Sequence, residues 1–232
     1  MELFFHAELI NGICELGENE ARHLRVLRKK PGDVIVVTDG MGTRAECIVA
    51  DAGPKRLLLE IRKTEMVERP KPQLILAVSP LKNPDRFEWL VEKCTESGVG
   101  AIVPIVCERT EASLKKTDRL QRIIQAATIQ SLQYYMPELA QPISFSEFLK
   151  SYDSKTKLIA WCDDVSKTPI LCALHEGNDV IILIGPEGDF TKEEFDAAMA
   201  SGYQAISLGQ NRLRTETAAV LAAQAFYLKN SK

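Results

Sequence analysis

The stretch 180–217, VIILIGPEGDFTKEEFDAAMASGYQAISLGQNRLRTET, constrains the fold more than any other part of the chain. Val180–Ile184 is short, apolar and β-branched, and Gly-Pro follows at once, the pattern of a strand buried on both faces of a parallel sheet. Gly185, Pro186 and Gly188 then force a turn. Thr191 stands as N-cap with Glu194 three residues on, a capping box, and Phe190 and Phe195 occupy the positions of a hydrophobic staple. Ala198 and Met199 continue the apolar face, and Gly202 suits a left-handed helix stop. A second strand around 205–208 leads into GQNRLR and the start of a last helix. Open α/β sheets bind ligands at loops leaving the carboxyl ends of parallel strands, so these two loops are the first candidates for a site.

The preceding residues alternate in the same manner. Residues 73–78 read as a strand, followed by Asn83 as N-cap and Pro84 as first helical residue. Phe87, Leu90, Val91 and Cys94 recur at helical spacing until Gly98. Ala101–Val106 is the next strand; a helix from Thr117 runs through Leu120, Ile123, Ile124 and Ala127 and stops near Pro137; 158–161 is a further strand. Strand-helix alternation of this kind predicts a parallel sheet covered on both sides. Ahead of it, Met1–Arg69 reads as β-rich, with short strands at 34–38, 45–49 and 57–61 separated by turn residues, the spacing of a compact barrel. The charged segment 64–72, with Pro70 and Pro72, is the expected linker, which sets domains at 1–69 and 70–232.

Composition excludes more than it identifies. With 45% hydrophobic and 26% charged residues the chain is of ordinary globular make-up. No apolar run approaches a membrane span, and no signal-peptide pattern opens the chain. Cys14, Cys47, Cys94, Cys107, Cys162 and Cys172 are scattered without a CxxC pair, which argues against zinc and a disulfide framework and for a reducing cytosol. The motif GxxxxGK[ST] is absent, which excludes a P-loop NTPase. A net charge of -3 does not announce a nucleic-acid binder, so any RNA contact has to come from a local patch. Residues 20–30, EARHLRVLRKK, are such a patch: Arg22, Arg25, Arg28, Lys29 and Lys30 concentrate positive charge, while Leu24, Val26 and Leu27 anchor the segment. From composition alone a solvated amphipathic turn and a phosphate-contacting surface fit equally well. His23 reads as a surface or packing residue.

GPEGDF followed by SLGQNRLRTETA resembles the signature of the SPOUT superfamily of S-adenosylmethionine-dependent RNA methyltransferases. Within it the chain is most similar to the 16S ribosomal RNA uracil-N3 methyltransferase family. LKNPDRFEWLVEKCTESGVGAIVPIVCERT resembles that family's K…R…E…KxTExG…I.P pattern through Lys82, Arg86, Glu92 and Lys93, and QSLQYYMPEL resembles its QS…P segment. HLRVLR…GD…DG is similar to its PUA-like RNA-binding domain. The resemblance covers nearly the whole chain. It implies an α/β, trefoil-knotted parallel-sheet SPOUT domain behind an N-terminal PUA-like small β-barrel, with S-adenosyl-L-methionine as cofactor. It further implies 16S rRNA within the 30S subunit as partner, a homodimer built through the C-terminal halves, a cytoplasmic location, and neither metal nor membrane. It also tips the 20–30 patch towards phosphate contact. The chain departs from the family at Asp189, where glycine is usual, at Gln133, where arginine is usual, and at Asn211-Arg212, where a basic residue precedes an apolar one.

The implied chemistry needs no metal, because the sulfonium carries an already activated methyl. It needs a narrow apolar slot for adenine with backbone groups at its edge, and glycines let the backbone approach closely. Leu183, Gly185, Gly188, Leu208, Gly209 and Leu213 are the expected slot, with Pro186, Glu187 and Arg214 completing the cofactor set. Uracil N3 is a poor nucleophile while protonated, so a base or an anion-stabilising cation has to be within reach. Arg214 and Glu187 are the expected catalytic groups; Glu216, in the first turn of the last helix, has a sufficient structural reason in the helix dipole. A SPOUT 2′-O-ribose methyltransferase acting on tRNA or rRNA, and a non-catalytic RNA-binding protein with a degenerate α/β half, are the alternatives.

Overall fold

The computed structural model describes residues 2–9, 12–114, 117–163 and 165–231. Met1 and Lys232, the outer ends of the two expected domains, lie outside the described residues. The chain divides into two compact units, Met1–Arg69 with Gln125–Met136, and Pro70–Ile124 with Pro137–Lys232.

The first unit holds β1 (Leu3–Phe5), β2 (Ile13–Leu16), α1 (Glu18–Val26), β3 (Val34–Thr38), β4 (Thr43–Ala52) and β5 (Leu57–Met66). Its five-stranded sheet runs β1-β3-β4-β5-β2, with only β1 and β3 parallel. The expected barrel therefore takes the form of a curled half-barrel, open between β1 and β2. Register shifts at Glu46/Cys47 and Val49/Asp51 bend β4, as bulges do. Leu24 of α1 closes the concave side against Val37, Cys47, Leu57 and Leu59. The 20–30 segment, which composition reads as a turn, is thus mostly helix. It ends in a Schellman arrangement, with Lys29 N–H donating to Leu24 O at 3.2 Å and Arg28 N–H to Arg25 O at 3.0 Å. β5 runs on to Met66, so residues 64–66 of the expected linker are strand.

Residues of Gln125–Met136 complete this unit, although the sequence pattern assigns them to the α/β half. Gly42 N–H donates to Tyr134 O and Met136 N–H to Gly40 O, both at 2.8 Å. A Cβ at Gly42 would lie 2.2 Å from the Tyr135 hydroxyl, and the backbone there has φ 105, so only glycine fits.

The second unit contains β6 (Leu74–Val78), α2 (Pro84–Glu96), β7 (Ala101–Val106), α3 (Asp118–Gln130), β8 (Glu138–Leu139), β9 (Ile143–Ser144) and α4 (Phe145–Ser151). It continues through β10 (Thr156–Ala160), β11 (Thr168–Pro169), α5 (Ile170–Ala173), β12 (Val180–Ile184), α6 (Lys192–Ala200), β13 (Gln204–Ser207) and α7 (Thr215–Asn230). The division between the units falls inside α3. The sheet is parallel in the order β11-β13-β10-β12-β6-β7-β8, with β9 on the end of β7. The late strand β12 fills the slot between the earlier strands β6 and β10, and every residue in it is buried, as its apolar run predicts. Phe148 of α4 and Phe195 of α6 pack with Ile159, Ile181 and Leu183 on one face; α7 lies against β6 and β12 on the other and packs on α2 and α5.

The caps are where the sequence places them. Asn83 Oδ1 accepts from Asp85 N–H at 2.9 Å behind Pro84, Thr191 and Glu194 form the capping box, and Gly202 is left-handed at φ 84. Two strand ends move: β10 stops at Ala160 and β13 at Ser207, which releases Trp161 and Leu208 into the loops. The short elements β8, β9, β11, α4 and α5 carry no signal read in the sequence.

Candidate functional site

Three loops meet at the carboxyl ends of β10, β12 and β13 and enclose a cavity of about 650 Å³. The turn after β12 is closed by Asp189 N–H donating to Pro186 O at 2.9 Å. Gly185 starts it where a Cβ would come within 3.1 Å of the Phe190 ring, and Thr215 Oγ1, at the first turn of α7, donates to Gly185 O at 3.0 Å. After β13, Ser207 Oγ donates to Gly209 O at 2.9 Å and accepts from Gly209 N–H at 3.2 Å, folding a turn in which Gly209 adopts φ 133. The third loop, after β10, is one the sequence reading did not single out. Its Trp161 is buried and stacks on Phe195 with ring centroids 3.6 Å apart, and Lys167 Nζ donates to the carbonyls of Trp161 and Asp163.

Asp189 joins the first and third loops. Its carboxylate accepts from Cys162 N–H and from its own following amide, Phe190 N–H, each at 2.9 Å. The residue is left-handed at φ 63, a conformation that glycine adopts freely and that aspartate and asparagine tolerate better than other side chains. The departure from glycine at this position is therefore a substitution of one αL-tolerant residue by another, with a carboxylate added as a bridge. Burial first, and the Asp189 charge second, push the Cys162 thiol above its ordinary range.

Of the expected cofactor residues, Gly185, Pro186, Glu187, Leu208, Gly209, Leu213 and Arg214 line the cavity. Leu183 does not: it is fully buried among the core residues of the sheet. Gly188 does not either; it faces Arg109, whose Nη1 donates to Gly188 O at 2.8 Å. Cys162, Lys167, Arg86 and Asp189 line the cavity and were not in the expected set. Arg86, matched in the family pattern without a role, reaches the cavity because α2 runs beside α7.

The charged groups sort themselves by partner. Glu216 is buried on α7 and faces Arg86, with Nε to Oε1 at 3.7 Å. Glu187 is exposed and accepts from Lys82 N–H at 3.2 Å, while Lys82 Nζ pairs with Glu111 at 2.7 Å. Arg214, the N-cap residue of α7, is exposed and makes no side-chain hydrogen bond or ion pair among the described residues. The arrangement in which Arg214 merely pairs with Glu187 or Glu216 is not the one present.

The basic patch lies on α1 and the turn after it. Arg22 pairs with Glu18 at 3.4 Å, and Arg25 donates to Ala21 O and Pro54 O. Arg28 is exposed and left-handed at φ 56; the side chains of Arg28, Lys29 and Lys30 have no partner among the described residues. Cations at a helix C-terminus are favoured by its dipole, so Arg25 and its neighbours have a structural reason to be there as well.

A family model described as RNA methyltransferase domain matches residues 68–227, and one described as RNA methyltransferase PUA domain matches residues 16–62. A ribosomal RNA small subunit methyltransferase E of Synechocystis sp. is 35% identical over 206 residues, covering 85% of this chain and 67% of that protein. The chain belongs to the ribosomal RNA small subunit methyltransferase E family. Another member, from Bacillus subtilis, is 27% identical over 90% of this chain and 87% of its own. Among solved structures, a probable rRNA-methyltransferase from Porphyromonas gingivalis superposes with a TM-score of 0.89 at 34% identity over 97% of this chain and 96% of that one. A family member from Neisseria gonorrhoeae, solved bound to S-adenosyl methionine, gives 0.84 at 30% identity with the same coverages of 97% and 96%.

Proposed function

We propose that the protein transfers the methyl group of S-adenosylmethionine to N3 of a uridine in the 16S rRNA of the small ribosomal subunit. Arg214 carries the reading: a guanidinium at the wall of the cavity, exposed, and committed to no other group among the described residues. Family membership and the cofactor bound by the Neisseria gonorrhoeae relative support it.

The cavity suits the cofactor on its own terms. Its volume of about 650 Å³ is that of a small-molecule site, Ile206, Leu213 and Ala218 supply apolar wall, and the loop backbones at Gly185 and Gly209 supply polar edges. When bound there, S-adenosylmethionine supplies a methyl activated on a positive sulfonium. For N3 to take up that methyl, its own proton has to leave. Glu187, with one carboxylate oxygen on Lys82 N–H and the other open, accepts that proton. Arg214 stabilises the charge that spreads onto the flanking carbonyl oxygens. Glu216 takes no part beyond holding Arg86 at the cavity wall.

In this reading residues 1–69 are the RNA-binding module and 70–232 the catalytic one, working in the cytoplasm where ribosomes assemble. Arg28, Lys29 and Lys30 contact phosphates together with Arg22 and Arg25. The insertion of β12 between β6 and β10 supports a trefoil path for the chain. Leu171 of α5 with Tyr227 and Leu228 of α7, exposed at 57%, 51% and 66%, support a homodimer through this face.

The test is incubation with labelled cofactor and unmodified 30S subunits or bare 16S rRNA, followed by nucleoside mass spectrometry. 3-Methyluridine is expected. A 2′-O-methyl nucleoside would replace the reading with ribose methylation, and cofactor-independent RNA binding without label would replace it with a binding role.

A further inference from the structure

The turn after β7 grips the loop after β12 from outside the cavity. Arg109 Nη1 donates to Gly188 O at 2.8 Å and to Phe190 O at 3.2 Å, and a Cβ on Gly188 would sit 3.3 Å from Arg109 Cδ. One residue earlier, Glu108 N–H donates to Glu194 Oε1 at 2.8 Å, while Glu194 Oε2 accepts from Thr191 N–H at 2.9 Å. The capping carboxylate of α6 thus also ties down the β7 turn. That turn is itself braced: Thr110 Oγ1 accepts from Cys107 N–H at 2.8 Å and lies 2.8 Å from Ser79 Oγ. Arg109 is not among the residues that line the cavity.

The gripped loop needs holding. It contains Asp189 at φ 63, a conformation that aspartate tolerates better than most side chains but adopts less freely than glycine, so other loop conformations compete with it. Four side chains oppose their population: Thr215 through Gly185 O, Glu187 through Lys82 N–H, Asp189 through Cys162 N–H, and Arg109, which alone of them holds two carbonyls of the loop.

We infer that Arg109 is a positioning residue for cofactor binding, which keeps loop 185–190 in the conformation that presents Gly185, Pro186 and Glu187 to the cavity. The inference rests on the reading of that cavity as the S-adenosylmethionine site. Because Arg109 acts on the fraction of molecules with a competent loop, its removal lowers apparent affinity by that fraction and leaves the bound complex unchanged. Both bonds come from one guanidinium nitrogen, Nη1; a lysine ammonium, on a stem one bond shorter, keeps the charge but only part of that reach.

Calorimetry with S-adenosylmethionine, single-turnover rates at saturating cofactor and thermal unfolding are compared for the full chain and for Arg109→Ala and Arg109→Lys. Arg109→Ala is expected to bind about tenfold more weakly, the result of a competent fraction falling to roughly a tenth, with its saturated rate within about twofold of the parent. Arg109→Lys recovers part of the affinity. Gly188→Ala, which crowds the arginine stem from the loop side, also weakens binding, and its effect is smaller in the Arg109→Ala background because the two act on one contact. Unchanged affinity in Arg109→Ala, or a slowed saturated step with normal affinity, overturns the inference. If Arg109→Ala does not fold, equal affinity in Arg109→Lys, Gly188→Ala and the parent overturns it. A parent protein that binds no S-adenosylmethionine overturns the cofactor reading instead.

Discussion

At the scale of single residues, the site separates groups that are tied from groups that are not. Arg214 is untied, so Arg214→Ala should change stability by no more than about 0.5 kcal/mol, as exposed positions without partners do. Its cost is expected in the chemical step, on the order of 100-fold in turnover with little loss of cofactor affinity. The deficit should shrink as pH rises, because more uracil is then deprotonated unaided; single-turnover rates across pH would show it, and a pH-independent deficit would count against anion stabilisation. Cys162 gives a second handle on the same cavity. Burial, and then Asp189, raise its thiol, so the thiolate fraction at pH 7 is low and alkylation should be slow there and accelerate with pH. Saturating cofactor should protect Cys162 and leave the exposed Cys172 reactive, which peptide mapping of labelled protein can read. Cys94 and Cys107 are raised further by burial and should stay unlabelled until the chain unfolds.

Elements carry the strain that residues alone do not show. α3 ends in the same six-residue arrangement as α1, with Gln133 N–H on Thr128 O at 3.0 Å and Leu132 N–H on Ile129 O at 3.1 Å, and it puts Leu132 at φ 59. An L side chain there costs about 1–2 kcal/mol, and a glycine gives back about 0.5–1 kcal/mol through the freer unfolded chain. Leu132→Gly should therefore stabilise the protein by about 0.5–1 kcal/mol, seen as a higher denaturation midpoint at unchanged slope. Neither this strain nor that of Arg28 is visible in the sequence, where both residues sit in runs of good helix formers. What was visible has a local cause. The Asn83 and Thr191 caps, the buried run of β12 and the stop at Gly202 are each decided within a few neighbouring residues. The cavity's third loop was not visible, because Trp161 looks like one more strand residue until Asp189, far along the chain, is seen to fix Cys162 N–H. Leu183 does not line the cavity for the converse reason: strand alternation turns it into the core, and of β12 only its neighbour Ile184 reaches the cavity.

For the whole molecule, the net charge of -3 leaves RNA attraction to local cations. Charge reversal of Arg25, Arg28 and Lys29 together should weaken RNA binding and flatten the dependence of log affinity on log salt, while cofactor affinity stays the same. An unaltered salt slope would mark the patch as merely solvated. Sedimentation at micromolar concentration should give a mass near twice 25.9 kDa; a monomer mass would remove the homodimer. The segment Gln125–Met136 matters at this scale too. Its backbone bonds to Gly40 and Gly42 make it part of the first unit, though more than fifty residues separate it from Arg69 in the chain. A cassette cut at Arg69 therefore divides the unit. A recombinant that exchanges only its first 69 residues inherits a glycine turn from one parent and the Tyr135 and Met136 side chains that fill it from the other. An exchange that keeps the unit whole has to carry Gly42 and Tyr135 together.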